Sequence, residues 1–250
     1  MITIHPLSGI GEVGPGDDLA VLLLRAVDAA GLVAMPHDIL VVTQKIVSKA
    51  ENCFRSLRDL APGAEARRLA AMTRKDPRLV ELILAESVAV VRAAPHVLIT
   101  RHRSGHVMAN AGIDRSNIEG DDDTVLLLPQ DSDASAGALV KRFAEQGSRL
   151  RAVVIADSFG RPWRYGVVNV AIGAAGFPSL LDRRGLPDRN GRPLEVTQIA
   201  LADMVAAAAG LAMGEGAEGV PAALIRGFMP PPDDVPAARL VRAVAEDLFT

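Results

Sequence analysis

Aromatic residues are nearly missing from this chain of 250 residues: they make up 3% of it, with one Trp and one Tyr. Cysteine is scarcer still. The single Cys53 permits no intramolecular disulfide, which fits a reducing compartment. No apolar run reaches the roughly 20 residues of a membrane span. The longest, "IALADMVAAAAGLAM", is interrupted by Asp203. The opening "MITIHPLSGI" has neither a basic start nor an apolar stretch, so it does not read as a secretory signal. A formal charge of −3 argues against a general nucleic-acid binder. The expectation is a soluble, cytoplasmic protein with no nucleic-acid or membrane partner.

Familiar catalytic signatures are missing too. The chain has no GxxxxGK[ST], no GxGxxG that opens a helix, no HExxH and no paired CxxC. Lysine is also scarce: only Lys45, Lys49, Lys75 and Lys141 occur, and every other basic residue is Arg. Codon bias accounts for such a skew. Yet Lys45 and Lys49 stand four residues apart, and an ammonium pair there invites a functional reading.

What is present is a core. Hydrophobic residues at 49% exclude disorder, and the length allows one large domain or two small ones. "DDLAVLLLRAVDAAGL" reads as a helix capped by an Asp and stopped at Gly31, and "DILVVTQKIVSK" as a buried strand leading to the two lysines. Residues 64–85 read as helical, and 87–112 as strands with a hairpin at Ser104-Gly105. "TVLLLP" and "RAVVIAD" are further buried strands, with the helix "DSDASAGALVKRFAEQG" between them. The Gly-rich segment from Gly166 to Leu194 reads as turns and short strands. An Ala-rich helix, the strand "VPAALIRGF" and an amphipathic closing helix in "DDVPAARLVRAVAEDLF" complete the chain. Helices and strands mix without strict βαβ alternation, so the class is α+β, with any domains interleaved in sequence.

The aromatics gather in one place. Phe159, Trp163 and Tyr165 fall within "VVIADSFGRPWRYG", beside Asp157, Arg161 and Arg164. Asp157 ends an apolar run, as a carboxylate held at the end of a buried strand, suited either to a hard divalent cation or to capping the next turn. "NAGIDRSN" adds Asp114, again either a cation ligand on a second rigid element or a turn residue. Arg161 and Arg164 offer planar donor forks for phosphate or carboxylate. "GIGEVGPG" near the start is either a surface turn or a backbone cradle for phosphate oxygens. Asp131, Ser132, Asp133 and Ser135 read as helix caps, and His102 and His106 flank a turn without a third metal ligand nearby. Together these residues suggest a metal-dependent enzyme acting on phosphorylated, acidic substrates.

The stretches "TQKIVSKAEN", "NAGIDRSN", "LPQDSDASA", "ADSFGRPWRYGVVNVAIGAAG", "LDRRGLPDRNGRPLEVT" and "LADMVAAAAGLAMGEGAEGVPAALIRG", in this order, resemble the coenzyme F-420-0:L-glutamate ligase family, the gamma-glutamyl ligases of deazaflavin cofactor synthesis. The resemblance spans Leu7 to Gly227, and "GIDRSN" followed by "SFGRPWR" is its most specific part. It implies an α+β fold of mixed, largely antiparallel sheets with packed helices and two interleaved subdomains, in an intertwined homodimer. It also implies a single ligase domain over 1–250 without the additional C-terminal flavin-binding domain of some relatives. GTP would be the co-substrate, with Mg2+ or Mn2+, and a monovalent cation such as K+ a further candidate.

Matched motif to motif, Asp114, Asp157 and Ser158 are the implied metal ligands. Ile10, Gly11, Glu12 and Val13 form the implied nucleotide cradle, with Gln44, Lys45, Lys49 and Asn117 as further nucleotide contacts. Asp114, Asp157, Arg161 and Arg164 are the implied catalytic set. Ser158 stands where Thr is commoner in the family, Gln44 where Ser or Thr is, and Met204 where a second acid is frequent. The implied reaction phosphorylates the terminal carboxylate of coenzyme F-420-0 with GTP, and the amine of L-glutamate then displaces phosphate to form an amide. A metal-dependent phosphotransferase on another acceptor, or a non-catalytic nucleotide- or cofactor-binding module, would use the same residues differently.

Overall fold

Five strands carry the molecule, and their residue types explain their order. The computed structural model describes residues 1–116 and 121–247. In chain order the elements are β1 (Thr3–Leu7), α1 (Leu19–Ala29), β2 (Ile39–Thr43), α2 (Gln44–Ala50), β3 (Phe54–Ser56), α3 (Ala64–Thr73), α4 (Pro77–Ala85), β4 (Ser87–Ala94), β5 (Val97–His102), β6 (Val107–Ala109), β7 (Thr124–Leu126), α5 (Ser132–Glu145), β8 (Ala152–Arg161), β9 (Arg164–Ala175), β10 (Leu180–Asp182), β11 (Gln198–Ala200), α6 (Leu201–Met213) and β12 (Ala222–Arg226). The main sheet runs β1-β12-β2-β8-β9. Only the β2–β8 pair is parallel; the other three pairs are antiparallel. The class is therefore α+β with mostly antiparallel sheets.

β2, "ILVVT", and the first half of β8, "AVVIA", are β-branched and lie at the centre of the sheet with both faces covered, so they read as unbroken apolar runs. Alternate residues serve two cores. Leu40, Val42, Val153 and Ile155 face α1, α2 and α5, where Leu23, Ile46 and Phe143 pack. Ile39, Val41, Val154 and Ala156 face α6, where Leu201, Val205, Ala206 and Ala209 pack. Small residues on both α6 and the sheet let them approach closely. A third core, from Leu57 to Leu127, is built by α3, α4 and strands β5 and β7.

The structure corrects four sequence expectations. The helical span 64–85 is two helices, parted at Arg74 with φ 55° and restarted by Asp76 and Pro77. The segment after Gly166, expected to be turns and short strands, does contain the short β10 but opens with most of β9, at 12 residues the longest strand among the described residues. Asp157 does not end its strand, because β8 continues to Arg161. Among the described residues the closing helix does not form: the short 3-10 turns Ala237–Leu240 and Val244–Glu246 stand in its place. The first of these turns is held from outside, since the Asp133 carboxylate accepts the N–H groups of Ala237 and Ala238 while Ser179 Oγ donates to the Pro236 carbonyl. Among the described residues no helix is long and apolar enough to cross a membrane.

Candidate active site

The cleft forms where β2 stops and β8 does not. Thr43 is the last residue of β2 and pairs with Ala156, so Asp157 is the first β8 residue with no β2 neighbour. The opening lies at the carboxyl ends of the only parallel pair in the main sheet, the edge where open sheets receive ligands. Its volume is about 580 Å³, and besides β8 and β9 it is reached by the Gly11–Val13 loop, the end of β2 at Thr43, α2, the Asp114 turn, the end of α6 at Met213 and the loop Gly214–Pro221.

α2 supplies the cations. Thr43 caps it, accepting from the Lys45 N–H at 3.5 Å, and the four-residue spacing puts Lys45 and Lys49 on one side of the helix, both lining the cleft. Lys45 Nζ lies 2.9 Å from Asp114 Oδ2 and donates to Ser116 Oγ at 2.9 Å. Lys49 is buried, with its ammonium 2.8 Å from Glu12 Oε2. Asp114 is pinned by backbone exchange with Leu126, at 2.9 and 3.0 Å. Burial alone would push its carboxyl up; hydrogen bonds from Lys45 and from Ser116 outweigh this and hold it below the usual carboxylate value.

Asp157 behaves in the opposite way. Burial pushes its carboxyl up to about 7, the Ser158 N–H opposes this, and the neighbouring Asp114 carboxylate adds to the rise. Lost water is the largest cause, and the nearby carboxylates of Asp114 and Glu215 add to it. Ser158 Oγ lies 2.6 and 2.8 Å from the two carboxylate oxygens of Glu215 and 3.0 Å from Asn169 Oδ1. The donors facing the cleft are thus hard oxygens. Among the described residues, no three His, Cys, Asp or Glu side chains come close enough to enclose a metal by themselves.

Several expected site residues lie elsewhere. Gln44 is buried and accepts from Ser48 Oγ at 2.9 Å, because its side chain leaves α2 away from the lysine face. Ile10 sits in the first core and is not part of the cleft wall, while Gly11, Glu12 and Val13 are. Arg161 and Arg164 flank the β8–β9 turn and do not line the cleft; Arg161 Nη2 donates to the Tyr165 carbonyl at 3.4 Å. Asn117 lies outside the described residues. Thr43, Ser116, Asn169 and Glu215 line the cleft and were not anticipated. The one available signal for Glu215 was the double-acid, Gly-rich "GEGAEG" that stops α6 at Gly214 with φ 74°.

A second, smaller cavity of about 230 Å³ holds His102 and His106. Burial lowers both imidazoles to about 4, and Ser104 Oγ bridges their Nδ1 atoms at 2.8 Å.

Comparison with known proteins assigns the cleft its family. The family model described as F420-0:Gamma-glutamyl ligase matches residues 9–227. A coenzyme F420:L-glutamate ligase of Methanothermobacter thermautotrophicus is 44% identical over 227 residues, covering 91% of this chain and 89% of the relative. One from Methanopyrus kandleri is 43% identical, covering 99% of this chain and 97% of the relative. A third, from Haloarcula marismortui, is 42% identical across 90% of this chain and 87% of the relative. On a match of this extent, the chain belongs to the F420-0:gamma-glutamyl ligase family.

Proposed function

We propose that this protein is a GTP- and divalent-metal-dependent ligase that joins L-glutamate to coenzyme F-420-0 through an acyl phosphate. The chemistry of C–N ligation and the two substrates follow from the family and from its relatives' names. GTP, Mg2+ or Mn2+ (with K+ as a further candidate) and the activated intermediate are what the family resemblance implies, and the charge of the cleft supports the part that concerns phosphate and cation. One observation carries it: five carboxylates, of Glu12, Asp114, Asp157, Glu215 and Glu218, line the cleft against two ammoniums, of Lys45 and Lys49. A nucleoside triphosphate is strongly anionic. It enters such a space only with cations to offset the charge.

The oxygen donors fit a hard cation. Asp114 with Asp157, and Ser158 with Glu215, would offer oxygens to one or two such ions; because no three acidic side chains converge among the described residues, phosphate or water oxygens would have to complete each shell. Bound there, a divalent cation supplies Lewis-acid neutralisation of phosphoryl oxygens. The chain's own residues do the remaining work. Lys45 and Lys49 bind phosphate oxygens from one helix face, releasing Asp114 and Glu12 from their present ion pairs. The Gly11–Val13 loop presents backbone to the nucleotide. Placing carboxylate, phosphate donor and amine together in the cleft supplies proximity.

The reading extends to an intertwined homodimer with two interleaved subdomains. The exposed Trp163, Tyr165 and Val167 of the β8–β9 arm support a partner surface, and the separate third core supports the second subdomain. Mass spectrometry after incubation of the purified chain with GTP, L-glutamate and coenzyme F-420-0 tests the function. The expected result is a product heavier by one or more glutamyl residues, with GDP formed in step. Nucleotide turnover without a new amide would favour the phosphotransferase instead, and neither product would leave a binding module.

A further inference from the structure

Ser158 Oγ has one proton and three acceptor oxygens around it. Both carboxylate oxygens of Glu215 lie closer, at 2.6 and 2.8 Å, than Asn169 Oδ1 at 3.0 Å. With the proton on Glu215, the Asn169 amide oxygen faces the hydroxyl oxygen with no hydrogen between them. That arrangement is unfavourable for a side chain as buried as Asn169, at 7% exposure.

The surroundings nevertheless hold Asn169 in place. It pairs directly with Ser158 across the β8–β9 ladder. Behind it stands Gly210 of α6, where a Cβ would fall 2.9 Å from Asn169 Nδ2 and 3.1 Å from its Cγ. The helix is therefore cut away at one residue to admit this amide. Two residues along β9, the Ala171 N–H donates to Asp203 Oδ1 at 2.9 Å, fastening the strand to α6 beside the register shift at Ile155 and Ala156.

We propose that Asn169 is a positioning residue for the cleft: its amide oxygen receives the Ser158 hydroxyl proton when a divalent cation takes up the Ser158 and Glu215 oxygens, and Gly210 exists to leave room for it. A hydroxyl can turn a lone pair to a cation only if its proton points elsewhere. Glu215 loses its claim on that proton once its carboxylate faces the cation. Asn169 Oδ1 is then the remaining acceptor within reach. The step is a rotation about the Ser158 Cβ–Oγ bond, with no covalent bond made or broken. A neutral amide suits the task better than a carboxylate, because it accepts the proton without adding charge to an already acidic wall. Outer partners of this kind change metal affinity or activity by about 10–100-fold.

This inference rests on the metal reading above, and the test separates the two. Mn2+ alone is titrated into the full chain, with and without GTP, and free Mn2+ is followed by electron paramagnetic resonance. Ser158→Ala should weaken Mn2+ binding, and Asn169→Leu should weaken it about tenfold or more. Asn169→Asp, which keeps an acceptor oxygen but adds charge, should lose much less than Asn169→Leu; equal losses in the two would overturn the acceptor role. Gly210→Ala alters no polar group and guards against a misfolded Asn169→Leu; it should weaken binding in the same direction, while Leu211→Ala on the exposed side of α6 should not. In the Ser158→Ala background neither Asn169→Leu nor Gly210→Ala should cause further loss, because both act through the hydroxyl. Losses that persist there mark a merely structural role and overturn the proposal, as does wild-type affinity in both Asn169→Leu and Gly210→Ala. No Mn2+ binding by the wild-type chain under either condition overturns the metal reading and this inference together.

Discussion

β8 is two strands in one. Its first half, Ala152–Ala156, is buried on both faces between two helical layers. Its second half, Asp157–Arg161, has lost its β2 neighbour and keeps only β9. The backbone is continuous and extended throughout, so the change from core to site comes from what flanks it. A central strand covered on both sides admits only apolar residues. One residue past the end of β2, the same direction of side-chain projection that buries Ile155 carries Asp157 into the cleft. The site is thus a boundary effect of unequal strand lengths, and its rigidity is lent by the buried half.

The comparison breaks hardest at Ile155 and Asp157, two residues apart. Ile155→Ala empties space in the first core and should cost about 2–5 kcal/mol in urea denaturation, with GTP affinity of the folded fraction little changed. Asp157→Asn should do the reverse. It should lower kcat/KM by on the order of 100-fold or more, since an ionic ligand is worth several kcal/mol and each 1.36 kcal/mol is tenfold. Wild-type turnover in Asp157→Asn would move the site off β8 altogether.

The same residue gives a pH signature in the metal-free protein. The folded-state value of Asp157 is raised to about 7, above its ordinary carboxylate value. Its contribution to stability is therefore complete in acid and is lost as pH rises through about 7. Asp157→Asn should erase that loss, so the variant gains on wild type between pH 5 and 8. A constant difference in melting temperature across that range would show that Asp157 titrates normally.

Lys49 sharpens the contrast between a cleft ammonium and an ordinary one. Lys49→Ala should raise the KM for GTP roughly tenfold, because a charged hydrogen bond in a buried setting is worth about 1.5–3 kcal/mol. Lys75→Ala should leave KM unchanged. Lys75 lies in the connector between α3 and α4 and does not line the cleft, and burial lowers its pKa. Equal KM values for both variants would remove α2 from the nucleotide site.

What could be read in advance was the part governed by local pattern. The paired lysines, Asp114 and Asp157 stood out through spacing, strand context and motif resemblance, and all four line the cleft. β9 was obscured because its glycines answer to distant neighbours. A Cβ at Gly173 would fall 2.2 Å from the Ser132 carbonyl oxygen at the start of α5, a contact no local window contains. The closing helix is different: Asp133, a hundred residues earlier, accepts the N–H groups of Ala237 and Ala238 and so caps a first turn, yet only 3-10 turns follow, and no contact among the described residues accounts for the stop. Gln44 was assigned by motif alignment and the two arginines by their donor chemistry as well, and within this chain none of the three lines the cleft. Glu215 was illegible because a Gly-rich loop between a helix and a strand has no period to read.

The smallest expected effect lies at the far end of the overhang. Tyr165 is wholly exposed and Val167 is 53% exposed, so within one chain this arm contributes little to the fold. Tyr165→Ala in dilute protein should shift unfolding free energy by no more than about 0.5 kcal/mol, the usual range for surface changes. In the proposed dimer a second copy covering the arm would stabilise by mass action, so the wild-type midpoint should rise with protein concentration while that of Tyr165→Ala rises less. Equal concentration dependence in both would mean that no partner seats on the tyrosine. A loss of 2 kcal/mol or more in dilute protein, at unchanged urea m-value, would mean that the arm is packed within its own chain. The division of β8 into a supporting half and a free half would then fail at its outer end.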